Sequence, residues 1–390
     1  MTRVLLVNDH LGWNGNVMHG VARLFLQWMP AFDARRYHVI VCVLRKKDSL
    51  SEHFEQRGIQ VRFLAHGRFS PLTLWSLLKI IREEKIDLMH VQGYGASTFG
   101  RLAKILTGTP VVVHFHDDSP YYPWVQRIAD FILARFTDAA IAASNRVKRF
   151  CSETGRMAGI DITKTVVMPN CVSLNEFQAL DPNEILAEKK RLGLSSNSKI
   201  VGTVTRLYDS KGNRYVLEAA VQVLEFSPNT TFLIVGDGPL RQDLETLSKR
   251  LGIDDRVVFT GFSKDVARLL AIFDVMVFAS WKAEGTPLAV LEAMAMGKAI
   301  VATDIVEIIE DGVTGLLVPP KDSRAIGRCV ISCLTDEDLA KRLGKNAKEE
   351  SQNYSVDAYV SKLQSIYDQV VQRVKRQTTA PYTTSRPPTG

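Results

Sequence analysis

Short runs of apolar residues recur along the first half of the chain, with longer stretches of helix-like apolar spacing between them. Val4–Asn8, His38–Leu44, Val61–Leu64, Leu88–Gln92, Val111–Phe115, Ala139–Ala142 and Thr165–Met168 read as strands. Leu72–Glu84 and Trp124–Phe136 are examples of the helical stretches. Such alternation predicts a parallel sheet with helices on both faces. A turn-rich break, Pro169-Asn170-Cys171-Val172-Ser173, interrupts the pattern, and helix-like Pro182–Leu192 follows it. The alternation then restarts with Ile200–Val204, Thr231–Val235, Val257–Phe259, Asp274–Phe278 and Ala299–Ala302. The expected fold class is α/β, two doubly wound halves facing a cleft, with ligands at the carboxyl ends of the strands. We expect the halves to span residues 1–175 and 176–355, followed by a last helix over 356–375 and a disordered Thr/Pro-rich tail over 376–390.

One segment departs from this rhythm. Ala283-Glu284-Gly285-Thr286-Pro287-Leu288-Ala289-Val290-Leu291-Glu292-Ala293-Met294-Ala295-Met296-Gly297 lies between two strands and reads as a loop, then a helix. Thr286 is placed to cap that helix, Pro287 to fill its first turn, and Gly297 to take the left-handed position past its end. The helix is apolar on every side, which marks it as buried. Glu292 sits in its middle, and a buried carboxylate is costly unless paired or hydrogen-bonded. Glu284 lies on the loop facing the helix start, where unpaired N–H groups make a seat for phosphate. Either the carboxylates hold hydroxyls of a ligand whose phosphate sits at that seat, as a sugar nucleotide would supply, or Glu292 pairs with an arginine elsewhere and Glu284 is solvated.

Other segments carry candidate chemistry. Arg206 and Lys211 flank a loop at a strand's carboxyl end, where two cations can neutralise a diphosphate or simply be solvated. Val235-Gly236-Asp237-Gly238 is a strand followed by a glycine turn, and Thr260-Gly261-Phe262 puts an aromatic after another strand, to border a base or join the core. Gly12-Trp13-Asn14-Gly15-Asn16 follows the first strand and is not the dinucleotide fingerprint. His114 and His116 share one face of a strand. A hydrogen-bonding histidine at the cleft is favoured there over a metal pair with Asp117 or Asp118. Asp336-Glu337-Asp338 is explained as the acidic start of a helix.

Composition narrows the class without naming it. At 46% apolar and 23% charged the chain is an ordinary globular protein. It has no apolar run of membrane-spanning length and no signal-peptide pattern, so a cytoplasmic location is expected. The five cysteines lack zinc or redox spacing. Residues 1–175 hold 22 basic and 14 acidic side chains, whereas 176–390 hold 27 and 28, so the net charge of +7 arises in the first half. That asymmetry favours an anionic partner there, such as the inner face of a membrane, or serves solubility alone. The basic residues are scattered and lack a recognition motif, which argues against nucleic acid.

Together and in this order, these motifs resemble a GT-B glycosyltransferase of the retaining family 4 (glycosyl transferases group 1), two Rossmann-like domains facing a cleft. Glu284 to Glu292 matches that family's E-x7-E signature, and Asp311-Gly312-Val313-Thr314-Gly315-Leu316-Leu317-Val318 matches the segment that follows it. The resemblance runs from the first strand to about residue 375 and is strongest over 199–320. It implies that Glu292 holds the ribose, that Glu284 holds donor-sugar hydroxyls, and that backbone groups around Gly285, Thr286, Pro287, Leu288 and Ala289 meet sugar and phosphate. It implies that Arg206 and Lys211 clamp the diphosphate, that His116 faces the donor sugar from the other domain, and that Gly15 stands near the phosphate. Gly236 and Phe262 join the nucleotide-sugar site in this reading. The last helix would cross back to the first domain.

The implied activity is transfer from a nucleotide-diphosphate sugar, as co-substrate and without metal or other cofactor, to a saccharide or lipid-linked acceptor in polysaccharide or glycolipid synthesis. An epimerase or hydrolase on the same fold, or an inactive nucleotide-sugar-binding scaffold, are the alternatives. The sequence departs from the family pattern in four places. Thr303-Asp304 reaches Glu307 some three residues early, without the usual Gly-Gly pair; Thr205 replaces a glycine; Cys171 and Ser173 replace a glycine and an aspartate; and Trp13-Asn14 is inserted in the first glycine loop.

Overall fold

The computed structural model describes residues 1–13, 17–18, 20–47, 49–67, 70–117, 124–152, 159–282 and 284–379. The first sheet has seven strands, β1 (Thr2–Asn8), β2 (Tyr37–Val43), β3 (Val61–Phe63), β4 (Leu88–Gln92), β5 (Val111–Phe115), β6 (Ala139–Ala142) and β7 (Thr165–Val167), in the order β3-β2-β1-β4-β5-β6-β7. The second has six, β8 (Lys199–Val204), β9 (Thr230–Val235), β10 (Val257–Gly261), β11 (Val275–Phe278), β12 (Ala299–Thr303) and β13 (Leu316–Val318), in the order β10-β9-β8-β11-β12-β13. All pairings within both sheets are parallel. The fold is therefore two Rossmann-like α/β units. Every strand expected from the apolar runs is present, and Leu316–Val318 is an additional edge strand.

Helices α1 (Gly20–Trp28), α2 (Pro71–Glu83), α3 (Tyr94–Thr107), α4 (Trp124–Leu133) and α5 (Asn145–Ser152) lie in the first half, α6 (Asn213–Phe226) and α7 (Leu288–Ala295) in the second, and α8 (Val356–Thr379) follows both. Strand β1 shows why the layers form. Its side chains alternate between faces, so Val4 and Leu6 enter the core under α1 and α8, while Leu5 and Val7 enter the core under α2 and α3.

Helix α8 returns to the first half. Tyr359, Val360, Leu363, Ile366, Tyr367 and Val370 are buried there with Trp28 and Tyr37. At roughly 1.5–3 kcal/mol for each large apolar side chain buried, such an interface docks the helix firmly. Arg36 and Asp368 add an ion pair at 2.6 Å. The chain thus passes between the halves twice, and the two crossings touch: Val172 bridges Ser355, and its N–H donates to the Tyr354 carbonyl at 2.9 Å. The expectation of disorder from residue 376 is corrected in part, because α8 continues to Thr379, with Pro381 the next helix breaker. Residues 380–390 lie outside the described residues.

Candidate functional site

Strand order reverses once in each sheet, between β1 and β4 and between β8 and β11, and a crevice opens at each reversal. The chain fills the first one itself. The Asp9 carboxylate accepts the N–H groups of Gly95 and Ala96 at the start of α3, at 3.1 and 2.7 Å. At the second, the loops that follow β8 and β11 are tied together. Ser210 O accepts from the Trp281 N–H at 2.9 Å, and Ser280 Oγ lies at the same distance from it. Gly212, at φ +68°, lies so close to the Ala279 carbonyl that a Cβ would overlap it.

This junction brings together residues singled out in the sequence. Lys211 Nζ and Glu284 Oε1 form an ion pair, and Ser280 Oγ donates to the same oxygen at 2.7 Å. Glu284 is therefore not solvated. Arg206 is exposed, with its guanidinium 5.2 Å from the centroid of Tyr208.

Helix α7 starts at Leu288, with Pro287 in the cap position and no side-chain cap on its first turn among the described residues. Thr286, expected as that cap, instead donates to Ala143 O of the first half at 2.5 Å. A carbonyl from across the cleft has won the hydroxyl. Gly297 takes the expected left-handed conformation at φ +66°. The N–H groups of Leu288 and Ala289 thus offer a partly positive seat a few residues along the chain from Glu284, in contrast to the filled one at α3.

Glu292 is 1% exposed. Arg23 of α1 reaches it from the first half, with Nη2 2.7 Å from Oε1. The arginine alternative raised by the sequence thus has a named partner, yet the partner does not satisfy the group. Among the described residues neither carboxylate oxygen accepts an aligned hydrogen bond, and Arg23 keeps 37% of its side chain in solvent. Burial raises the Glu292 carboxyl above the usual 4.5, and the Arg23 charge offsets only part of that shift.

The halves meet along a seam beside these groups. Gly285 lies against the His116 carbonyl and 2.9 Å, measured from an added Cβ, from the Ala143 methyl. Asn170 Nδ2 donates to Thr286 O at 2.8 Å. Glu307, on the shortened loop, crosses the seam and accepts the N–H groups of Asn145 and Arg146 at 2.8 and 2.7 Å, capping α5. His116 faces Gln92, with Nε2 2.6 Å from Oε1. His114 departs from the cleft-histidine expectation. It is buried, neither ring nitrogen is hydrogen-bonded among the described residues, and burial holds its pKa well below the usual value.

Gly236 allows close approach of backbone, since a Cβ would overlap Thr205 O beside Arg206. Phe262 is exposed rather than core. Gly15 and Asp118 lie outside the described residues. Among those described, no three His, Cys, Asp or Glu side chains are grouped as a metal site requires. Asp336 caps its helix through the Leu339 N–H at 2.8 Å, as its position predicts. Sequence reasoning missed Arg23, Ser280, Gln92 and Glu307. Arg23 carried one signal, as the sole charged residue in Gly20–Trp28.

Comparison with known proteins gives consistent matches. The model described as Glycosyltransferase Family 4 matches residues 18–176, and that described as Glycosyl transferases group 1 matches residues 184–350. The chain is 30% identical to the UDP-Gal:alpha-D-GlcNAc-diphosphoundecaprenol alpha-1,3-galactosyltransferase of Escherichia coli, over 77% of this chain and 80% of that one. It is 26% identical to the N,N'-diacetylbacillosaminyl-diphospho-undecaprenol alpha-1,3-N-acetylgalactosaminyltransferase of Campylobacter jejuni, over 92% and 99%. The crystal structure of Anabaena Alr3699/HepE in complex with UDP shares the fold at a TM-score of 0.83, 24% identity, and coverage of 95% of this chain and 100% of that one.

Proposed function

The chain belongs to the group 1 glycosyl transferases of glycosyltransferase family 4, and from that premise we propose that it moves a sugar from a nucleotide-diphosphate sugar to a saccharide or lipid-linked acceptor with retention of configuration. The observation that carries the site assignment is Glu292, a buried carboxylate that, among the described residues, lacks aligned hydrogen bonds and lies in a helix with no side-chain cap at its start. Two ribose hydroxyls supply the missing donors. The diphosphate takes the N–H groups of Leu288 and Ala289, with Arg206 and Lys211 as counter-charges, and Gly285, Thr286 and Pro287 line its approach. Glu284 exchanges its contact with Lys211 for donor-sugar hydroxyls, and His116 closes over the sugar. Gly15, Gly236 and Phe262 complete the nucleotide side. Residues 176–355 form the donor half, residues 1–175 the acceptor half, and residues 356–375 the closing helix. The name of the Escherichia coli relative supports a UDP-sugar donor, and the names of the Escherichia coli and Campylobacter jejuni relatives both support a diphospho-undecaprenol acceptor.

In this reading the acceptor attacks from the face that the diphosphate leaves, the departing phosphate takes the acceptor proton, and no divalent metal takes part. Lys211→Ala is then expected to lower transfer on the order of 100- to 1000-fold with the melting temperature of the folded protein retained. EDTA is expected to leave the wild-type rate unchanged. Radiolabelled transfer from UDP-sugars to a soluble acceptor measures both. Wild-type turnover in Lys211→Ala, or EDTA loss restored by Mn²⁺, rejects the respective part, and donor hydrolysis unaffected by acceptor points to a hydrolase.

A lipid-linked acceptor calls for a membrane-facing surface, and the exposed apolar side chains of α4 support placing it there. Trp124, Ile128, Phe131 and Ile132 recur at helical spacing and are all exposed, Trp124 to 72%. The two acidic residues of 124–152, Asp130 and Asp138, pair internally with Arg101 and Lys104, while Arg135 and Arg149 face solvent. An aromatic stripe with basic neighbours fits the headgroup region of an anionic bilayer. No helix of the described residues is long and apolar enough to cross a membrane. Vesicles rich in phosphatidylglycerol should co-sediment the protein at low salt and release it at high salt. The double variant Trp124→Ser/Phe131→Ser should stay in the supernatant yet keep its rate on a soluble acceptor. Equal binding of that variant, or binding to neutral vesicles alone, removes the assignment.

A further inference from the structure

Strand β4 ends in two polar residues that no part of the donor site uses. His90 and Gln92 share one face of it, and both are at most 1% exposed. Buried polar side chains of this kind are retained where they are hydrogen-bonded, and these two form a continuous string. Tyr367 of α8 lies with its hydroxyl 2.6 Å from His90 Nδ1. Gln92 Nε2 lies 3.3 Å from His90 Nε2, and Gln92 Oε1 lies 2.6 Å from His116 Nε2. The ring of His114 stacks on that of His116, with centroids 4.0 Å apart, and restricts it from the side.

The donors and acceptors of the string fix its protons. An amide oxygen only accepts, so His116 carries a proton on Nε2 and donates it to Gln92 Oε1. An amide NH₂ only donates, so His90 accepts at Nε2. Burial holds the His90 pKa down to about 3, so its ring is neutral and its single proton sits on Nδ1, donated to Tyr367 Oη. At the far end, the backbone carbonyl of His116 lies against Gly285.

We propose that Tyr367, His90 and Gln92 are positioning residues that set the ring orientation and the Nε2–H form of His116, and thereby wire helix α8 to the cleft. This deepens the reading of His116 as a donor-sugar contact and rests on it. It also gives α8 a role beyond covering the first half's core, since its hydroxyl is the terminus of the string.

Imidazole ¹⁵N NMR combined with steady-state kinetics tests the proposal. In the wild type, His116 should show the Nε2–H pattern and His90 the Nδ1–H pattern. Gln92→Leu should abolish the single form of His116 and lower kcat roughly tenfold, as outer partners of functional histidines commonly do, with little change in donor KM. Tyr367→Phe should act in the same direction on His90 while preserving packing. Gln92→Glu is the distinguishing variant. Its carboxylate still accepts from His116, which restores kcat, but it cannot donate to His90, so the His90 proton should move to Nε2 and Tyr367 should become the donor. Unchanged tautomers of both histidines in Gln92→Leu and Gln92→Glu overturn the string. If the tautomers respond as described but His116→Ala retains wild-type transfer, the string stands and the donor-site role of His116 falls.

Discussion

Glu292→Gln is expected to lower kcat/KM on the order of 100-fold or more while making the folded protein more stable. The two effects have one cause. A carboxylate that accepts two ribose hydroxyls gains about 1.5–3 kcal/mol from each charge-assisted bond, and the amide loses much of that. In the free protein the same carboxylate is a liability, because burial outweighs the attraction of Arg23 and raises its pKa. The sign follows directly. A folded pKa above the unfolded 4.5 means that ionising the group favours the unfolded chain, so stability is greatest below 4.5 and falls as pH rises through the folded value. The neutral amide escapes that loss, and Arg23 is exposed enough to return to water. A gain of about 1 kcal/mol, or roughly 2–4 °C, is expected near neutral pH, and it should vanish in acid. Scanning fluorimetry across pH, with kinetics on the same preparations, measures both halves. Parallel loss of activity and stability makes Glu292 a structural residue, and unchanged activity ends the ribose assignment.

Gly285→Ala is expected to lose transfer by at least about 100-fold while UDP still binds. The added methyl overlaps the His116 carbonyl and presses on Ala143, both fixed to the first half. Backbone cannot yield as a long side chain would, so the halves are held apart where Thr286 and Asn170 otherwise join them. A displacement of about 1 Å at reacting groups costs on the order of 100-fold. Nucleotide binding should persist, since its proposed contacts lie mostly on the second half, and each half keeps its own core. Calorimetry with UDP and transfer assays on the variant separate these effects. Near-normal transfer in Gly285→Ala would mean that the seam described here is not the working one.

Much of the fold was legible because parallel strands buried on both faces leave apolar runs that need no distant information. Strand β13 was missed because Leu316–Val318 is three residues long and only partly buried, too short to show a period. Glu292 was legible for the opposite reason, as a lone acid in an oily helix. Its ion-pair partner was not, because nothing local links α1 to α7. Thr286 fits every local rule for a cap, and a carbonyl from the other half overrode them. The shortened loop before Glu307 was visible as a missing Gly-Gly pair, but its use as a cap for α5 depends on how the halves meet. Gln92 and Tyr367 carried no pattern at all, since their partnership exists only once α8 is docked.

The paired crossings at Val172 and Ser355 limit how the enzyme can breathe. Two chain segments stitched at one spot resist sliding and permit a swing, as a book opens on its spine. A swing of this kind would leave the stitch intact and part contacts across the seam, Arg23 from Glu292 and Glu307 from the start of α5. Such an opening would bare two carboxylates, Glu292 and Glu307, together with Arg23 and the start of α5, and on the proposed reading it is Glu292 among them that meets the donor, through its ribose.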